Sequence, residues 1–183
     1  MRWGRNATAM RLALAAVWAW AAVPAATITA MNASRVVIQN QDFDVSTELA
    51  ALRQGDARVG AVCFFVGTVR ERNEGAQVST MELEHYPGMT EKSIEAIIDR
   101  AVERFGIFAA KVIHRVGPLA PMDQIVFVGV TSAHRGMSFQ ACEFIMDYLK
   151  SEAPFWKKEQ TPDGGRWVDA RVSDEQALER WQA

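Results

Sequence analysis

The order of its segments restricts this chain to a fold that mixes α-helices and β-strands. Apolar side chains recur every three or four residues from Ile94 to Phe105, which predicts an amphipathic helix that ends at Gly106. Runs rich in β-branched and aromatic residues precede and follow this helix, without the regular strand–helix alternation of a parallel sheet. We therefore predict an α+β fold.

The remaining segments divide into predicted strands and two shorter helices. Residues 47–54 predict a helix that Ser46 caps and Gly55 ends, and Ser173 with Gln176 forms a capping box for a terminal helix. The run 60–70 is almost continuously apolar, so we expect a well-buried strand there. The predicted strands are 35–45, 60–70, 80–86, 109–117, 123–132 and 164–172.

A further helix is predicted to precede Pro154, with Phe139, Cys142, Met146 and Leu149 on one face. Proline cannot donate the backbone hydrogen bond that a helix interior needs, and its ring disfavours helical geometry in the residue before it. We therefore expect this helix to stop before Pro154 and the chain to turn there.

The turn at Pro154 lies between two lysines. Lys150 and Lys157 flank it, and Phe155 and Trp156 form a rigid aromatic pair between them. Because the two lysines then belong to different segments, their amines are expected to face one pocket.

Composition argues against broad nucleic-acid binding and gives no sign of a metal site. The formal net charge is −2, which does not favour a polyanionic partner. Cys63 and Cys142 lie in apolar contexts without a C-x-x-C motif, so we expect buried free thiols. His85, His114 and His134 lack zinc-ligand spacing, and no glycine-rich phosphate loop is present.

Cationic side chains gather where predicted elements end. Arg70 follows the strand 60–70, His134 and Arg135 precede a helix start, and Lys150 and Lys157 flank the turn. Free backbone N–H groups at a helix start favour an anion, so together these residues predict a pocket for a phosphate or a carboxylate. Each also has an ordinary structural interpretation.

The structural alternatives are specific. Lys150 lies three residues after Asp147, and the two would form an exposed helical ion pair worth a few tenths of a kcal/mol. Arg70 would simply end an edge strand, and His134 would be a hydrogen-bonded structural residue. Phe155 and Trp156 would be ordinary core residues.

Residues 1–30 form an extension with two interpretations. The segment carries Arg2, Arg5 and Arg11 without any acidic residue, and it continues with an apolar run from Leu12 to Ala26. That pattern is typical of a secretory signal peptide and is too short for a membrane span. The other interpretation is an upstream start codon, with Met31 opening the domain 31–183.

Five motifs resemble the catalytic (large) subunit family of molybdopterin synthase. The resemblance covers Met31 to Trp181, which is essentially the whole globular part. The motifs occur in the order "LEHYPGMTEKSIEAI", "VIHRVGPL", "IVFVGVTSAHRG", "FIMDYLKSEAPFWKKE" and "RWVDAR".

The resemblance implies an α/β-hammerhead-like fold, with a mixed or antiparallel sheet and packed helices. It implies a sulfurtransferase of molybdenum cofactor biosynthesis that acts without a cofactor of its own. Sulfur passes from the C-terminal Gly-Gly thiocarboxylate of a small ubiquitin-like carrier subunit to cyclic pyranopterin monophosphate, forming the dithiolene of molybdopterin. Two large subunits form a homodimer within a heterotetramer, in the cytoplasm, without a membrane or nucleic-acid partner.

The resemblance also assigns site residues. Lys150 and Lys157 are implied as catalytic and as substrate-binding residues. The other implied substrate-binding residues are Arg70, His134, Arg135, Lys158 and Glu159, and the less specific pocket positions are Phe65, Met146 and Arg171.

Two other functions fit part of the pattern. A lysine in an apolar pocket can form a Schiff base with a phosphorylated carbonyl substrate, which borohydride trapping would reveal. A non-catalytic docking partner of a ubiquitin-like protein would need neither lysine, whereas the His-Arg pair and both lysines are present.

We predict that translation begins at Met31, because an export signal conflicts with a cytoplasmic pathway. Mass spectrometry of the native protein should find no residue before Met31, and a chain beginning there should be folded and fully active. Export of the chain with cleavage near Ala30 would contradict both this start site and the cytoplasmic location.

Overall fold

The computed structural model describes residues 34–73, 76–77, 79–161, 164–168 and 172–182. The extension 1–30, the proposed start at Met31 and the pocket position Arg171 lie outside the described residues, and so do residues 169–170 of the motif "RWVDAR". Within the described residues, no helix is long and apolar enough to cross a membrane.

The described residues form two four-stranded sheets, a short two-stranded ribbon and four helices, so the predicted α+β class is confirmed. The strands are β1 (Val36–Gln39), β2 (Ala61–Thr68), β3 (Arg72–Asn73), β4 (Ala76–Gln77), β5 (Thr80–His85), β6 (Ala109–Arg115), β7 (Gly117–Leu119), β8 (Gln124–Ser132), β9 (Phe155–Thr161) and β10 (Gly164–Val168). The helices are α1 (Val45–Arg53), α2 (Met89–Phe105), α3 (Arg135–Ser151) and α4 (Val172–Glu179).

The first sheet has the order β1-β6-β8-β2 and carries the main core. The β1–β6 pair is parallel, whereas β6–β8 and β8–β2 are antiparallel. Helices α2 and α3 cover one face, where Ile94, Ile98, Val128 and Ile145 are fully buried. Helix α1 covers the other face over a smaller cluster around Phe127. The alternation of strand side chains separates the two clusters.

Several predicted element ends are confirmed and others are wrong. Helix α2 ends at Phe105, and Gly106 adopts the left-handed conformation with φ of 60°, as glycine does readily. Asp44, not Ser46, caps α1, because its carboxylate accepts a hydrogen bond of 2.7 Å from the backbone N–H of Thr47. Helix α4 begins at Val172, one residue before the predicted start at Ser173.

The expectation that 60–70 forms a well-buried strand is wrong for a single copy of the chain. Val62, Phe64 and Phe65 are 39%, 48% and 41% exposed. Among the described residues β2 pairs on one side only, with β8, so it is the edge of the first sheet. An exposed edge strand with large apolar side chains is characteristic of a surface that another chain covers.

The second sheet has the order β10-β9-β5-β7 and is antiparallel throughout. Met81 and Leu83 of β5 are buried on one face of it, together with Val69 and Leu119. On β9, Glu159 pairs opposite Met81 and Lys157 opposite Leu83. Because directly opposite residues share a face, Lys157 and Glu159 lie on the buried side of this sheet and Lys158 on the other.

The predicted stop before Pro154 is confirmed, because α3 ends at Ser151 and β9 begins at Phe155. The connection is fixed by two contacts. The hydroxyl of Thr90 donates a hydrogen bond of 3.1 Å to the carbonyl of Pro154. The ring of Phe155 stacks on His114 with 3.9 Å between centroids.

Burial beneath this connection lowers the pKa of His114 to about 4, with the nearby His85 as a smaller cause in the same direction. Its Nδ1 lies 2.9 Å from the carbonyl of Arg115, which identifies that nitrogen as a donor. His114 is therefore neutral in the folded protein at neutral pH.

We predict that His114 makes the fold less stable in mild acid. The unfolded chain binds a proton at His114 below the ordinary pKa of about 6.5, whereas the folded protein does not until about pH 4. The free energy of unfolding should therefore fall between these values, by on the order of 2–3 kcal/mol. The measurement is urea unfolding from pH 7 to pH 4.5.

His114→Phe is the matched control, because it keeps an aromatic ring against Phe155 and removes the titration. Its free energy of unfolding should fall less than that of the wild type over the same pH range. Parallel curves for the two proteins would show that His114 does not contribute.

Candidate functional site

A cavity of about 520 Å³ opens between β2 and α3. Apolar and sulfur-containing side chains form most of its wall, and a single turn of α3 supplies a cation at one end. The lining residues are Cys63, Phe64, Phe65, Phe139, Cys142, Glu143, Met146, Asp147 and Lys150.

The spacing of residues on α3 explains which side chains reach this cavity. The lining residues in the C-terminal half of α3 follow at steps of three, one and three positions, so they share one face of the helix over two turns. They are Glu143, Met146, Asp147 and Lys150. Phe65 faces them from β2. The structure therefore brings together three of the predicted site residues, Phe65, Met146 and Lys150, in one cavity.

Lys157 is not among the residues that line this cavity, and the expectation that both lysine amines face one pocket stays a prediction. The Nζ of Lys157 lies 2.7 Å from Oε1 of Glu159, whose side chain is only 2% exposed. A buried carboxylate needs a cation or hydrogen bonds to compensate its lost hydration, and Lys157 meets part of that need. Lys158 lies on the opposite face, with Nζ 5.5 Å from the centre of the Trp167 ring.

The remaining predicted cations lie at opposite ends of β2. Ala61 pairs with Ser132 and Thr68 with Gln124. Arg70 therefore lies just beyond one end of the strand pair, and the exposed residues His134 and Arg135 lie just beyond the other. At about 3.3 Å per residue, β2 separates these ends by roughly 23 Å. A single copy of the chain does not bring Arg70 together with His134 and Arg135.

Sequence reasoning missed the acidic part of the cavity wall and its partners after α4. Asp147 accepts a hydrogen bond of 2.7 Å from the indole N–H of Trp181, and it also pairs with Arg180. The NH1 group of Arg180 lies 2.7 Å from Oε1 of Glu143. The helical spacing of Glu143 and Asp147 relative to Lys150 was the available signal. The alternative role of Asp147, as the ion-pair partner of Lys150 alone, does not account for these contacts.

Of the two cysteines in the wall, Cys142 is suited to packing and not to nucleophilic attack. Burial raises the pKa of the Cys142 thiol far above its ordinary value, and the adjacent Cys63 thiol raises it further. Cys142 therefore stays protonated at neutral pH, whereas a reactive cysteine requires a thiolate. Within the described residues, no group of three His, Cys, Asp or Glu side chains is placed to hold a metal ion.

Comparison with known proteins gives consistent matches over this fold. The profile of the MoaE protein family matches residues 38–152. A molybdopterin synthase catalytic subunit from Ralstonia nicotianae is 65% identical over 144 residues, which is 79% of this chain and 82% of the relative.

Two solved structures are also similar. The molybdopterin biosynthesis MoaE protein from Burkholderia ambifaria has a TM-score of 0.71 and 55% identity, covering 81% of this chain and 97% of that one. Molybdopterin synthase from Staphylococcus aureus has a TM-score of 0.69 and 30% identity, covering 74% and 97%.

Proposed function

This chain belongs to the MoaE protein family, and we propose that it is the catalytic subunit of a molybdopterin synthase. In this proposal it is a sulfurtransferase of molybdenum cofactor biosynthesis. It moves sulfur from the thiocarboxylated C-terminus of a small ubiquitin-like carrier subunit to cyclic pyranopterin monophosphate, and so forms the dithiolene of molybdopterin. The principal support from the structure is the position of Lys150 at the end of the cavity between β2 and α3.

The charges of the two reactants explain why a lysine is needed there. The pterin carries a cyclic phosphate and the carrier tail carries a thiocarboxylate, so two anions must approach each other. A fixed cation lowers that repulsion, and its effect is larger in a cavity with an apolar wall than in bulk water. The phenyl ring of Phe65 and the thioether of Met146 supply such a wall.

We assign separate roles to the two lysines. Lys150 stabilises negative charge as the thiocarboxylate reacts, or moves a proton, because its amine borders the cavity. Lys157 is assigned to hold the substrate from outside this cavity, at the inner face of β9, where its amine pairs with Glu159. The tail of the carrier reaches Lys150 through the open side of the cavity.

A second copy of the chain would bring the separated cations together. β2 is an edge strand with three exposed apolar side chains, and a two-fold axis at that edge would pair it antiparallel with its own copy. Arg70 of one copy would then lie near His134 and Arg135 of the other. We propose this homodimer, with one carrier subunit on each large subunit, as the functional heterotetramer.

A cytoplasmic location goes with this function, because the synthesis of an intracellular cofactor draws on cytoplasmic metabolites. The mass-spectrometric determination of the start residue also checks this part of the proposal.

Mixed dimers test whether Arg70 and Arg135 act across two copies. Each alanine variant alone should bind the pterin precursor more weakly, by about 1.5–3 kcal/mol if a charge-assisted hydrogen bond is lost. A dimer of one Arg70→Ala copy and one Arg135→Ala copy should regain about half the wild-type activity, since one of its two sites keeps both arginines. Differently tagged copies allow that dimer to be purified and assayed.

The control is a mixed dimer of Arg70→Ala with Lys150→Ala. Helix α3 begins near the end of β2 at Ala61 and runs back along the sheet, so Lys150 lies toward the end that Arg70 follows, and one copy should supply both residues. This dimer should show no recovery. Recovery in the control, or none in the Arg70–Arg135 pair, would exclude the proposed arrangement.

Lys150→Ala tests the catalytic assignment. Loss of a cation at a developing anion should lower the rate of product formation by roughly a hundredfold or more. Lys150→Arg should not restore the rate, because a planar guanidinium has a different shape and does not release its proton. The assay combines purified carrier thiocarboxylate with the pterin precursor and measures molybdopterin formed.

Lys92→Ala is the matched control, since Lys92 is exposed on α2 and does not line the cavity. Both alanine variants should keep the wild-type melting temperature and carrier affinity. A wild-type rate for Lys150→Ala would exclude Lys150 from the chemistry.

A further inference from the structure

The cavity proposed to accept anions has two carboxylates in its wall. Glu143 and Asp147 line it from α3, on the same helical face as Lys150. A carboxylate there repels a phosphate or a thiocarboxylate and attracts the lysine amine that these ligands require. The wall therefore needs a compensating cation for the proposed chemistry to proceed.

Arg180, which follows α4, supplies that cation. Its NH1 lies 2.7 Å from Oε1 of Glu143, and its Nε lies 3.2 Å from Oδ2 of Asp147. NH2 of Arg180 also bonds to Oδ2 of Asp147. One guanidinium thus bridges both carboxylates, and these contacts raise the pKa of Arg180.

The position of Arg180 is fixed by the residue that follows it. The ring of Trp181 packs edge-on against Phe105 and Phe144, with centroids 5.9 and 5.4 Å away. Its indole N–H donates to Oδ2 of Asp147, the same oxygen that Arg180 contacts. The chain after α4 is therefore anchored in a hydrophobic contact and holds the guanidinium against α3.

We propose that Arg180 is a positioning residue for the reaction, which neutralises Glu143 and Asp147 and thereby keeps the cavity able to bind an anion at Lys150. This inference rests on the proposed function, because it assigns Arg180 a role at the same cavity. Arg180 acts through the two carboxylates and does not itself touch the substrate.

Removal of Arg180 would change the charge of the cavity wall. Without Arg180 the described residues of the cavity wall carry two carboxylates, Glu143 and Asp147, and one lysine, a net charge of −1 where an anionic substrate must bind. Asp147 is the more important of the two, because its side chain is 14% exposed whereas Glu143 is 53% exposed and better screened by water. Removal of Arg180 should therefore weaken substrate binding, and this effect should become smaller as salt is added.

The first test measures molybdopterin formation by the complete complex with Arg180→Gln. KM for the pterin should rise about threefold to tenfold at low ionic strength, the effect of one partly screened charge, with a smaller change in kcat. The increase should shrink in 0.5 M salt. Arg180→Lys should recover most of the wild-type KM, since it restores the charge.

The decisive variant is Arg180→Gln combined with Asp147→Asn. Removing the uncompensated carboxylate should return KM toward the wild-type value, even though the contact with Arg180 is still missing. A purely structural role for Arg180 would leave KM as high as in Arg180→Gln, or higher. Arg100→Gln is the matched control, because Arg100 pairs with Glu152 and neither residue lines the cavity.

A second measurement needs no sulfur transfer, so it separates this inference from the proposed function. Inorganic phosphate should protect Lys150 from acylation by acetic anhydride, as read by peptide mass spectrometry. Arg180→Gln should require a severalfold higher phosphate concentration than the wild type or Arg100→Gln.

The inference would be overturned if phosphate protected Lys150 equally in the wild type and in Arg180→Gln, or if it gave no protection in the wild type. An unchanged KM in Arg180→Gln at low salt, or a raised KM that Asp147→Asn fails to relieve, would also overturn it. An active wild type with any of these results would leave the sulfurtransferase function intact. An inactive wild type with the expected phosphate protection would instead contradict that function alone.

Discussion

Helix α3 packs against both the first sheet and the neighbouring helix α2, and this packing positions the cavity and its lysine. Phe144, Ile145 and Leu149 are almost completely buried in the main core. Burial of each such side chain contributes about 1.5–3 kcal/mol, so the helix is held firmly along its length. With one face fixed in this way, the neighbouring face must border β2, and that face carries Lys150.

The same packing sets the distance between the candidate cations. Helix α3 starts beside the C-terminal end of β8 and runs back along the sheet, so Arg135 and Lys150 are separated by about 22 Å at 1.5 Å per residue. Arg70 and Arg135 are divided by the length of β2. A site that used all three from one copy would be too long for a small substrate. A second copy that pairs at the exposed β2 edge would shorten the distance between Arg70 of one copy and Arg135 of the other.

Charge balance is the other property that the fold establishes at the cavity. Glu143 and Asp147 belong to the same helical face as Lys150, and this placement cannot be changed without disturbing the buried face. The opposing charge comes from Arg180, which lies 30 residues further along the chain than Lys150 and reaches α3 because Trp181 is packed against Phe144. The consecutive residues Arg180 and Trp181 thus connect the aromatic packing against Phe144 with the charge of the cavity wall.

Three features could be predicted correctly from the amino-acid sequence: the α+β class, the helix that ends at Gly106 and the helix stop before Pro154. These features follow from local rules, namely apolar periodicity, the left-handed freedom of glycine and the missing N–H of proline. Local patterns placed the helix cap at Ser46 incorrectly, because Asp44 offers a competing carboxylate two residues earlier.

Which of the predicted site residues lie together could be seen only in the folded protein. The fold placed Phe65, Met146 and Lys150 around one cavity, and it turned Lys157 toward Glu159 and Lys158 to the opposite face of β9. It also left β2 at an edge, although its apolar sequence predicted burial. The physical reason is that hydrophobic runs specify that a segment will be covered, but strand order and register determine by which part of the molecule, or by which other chain.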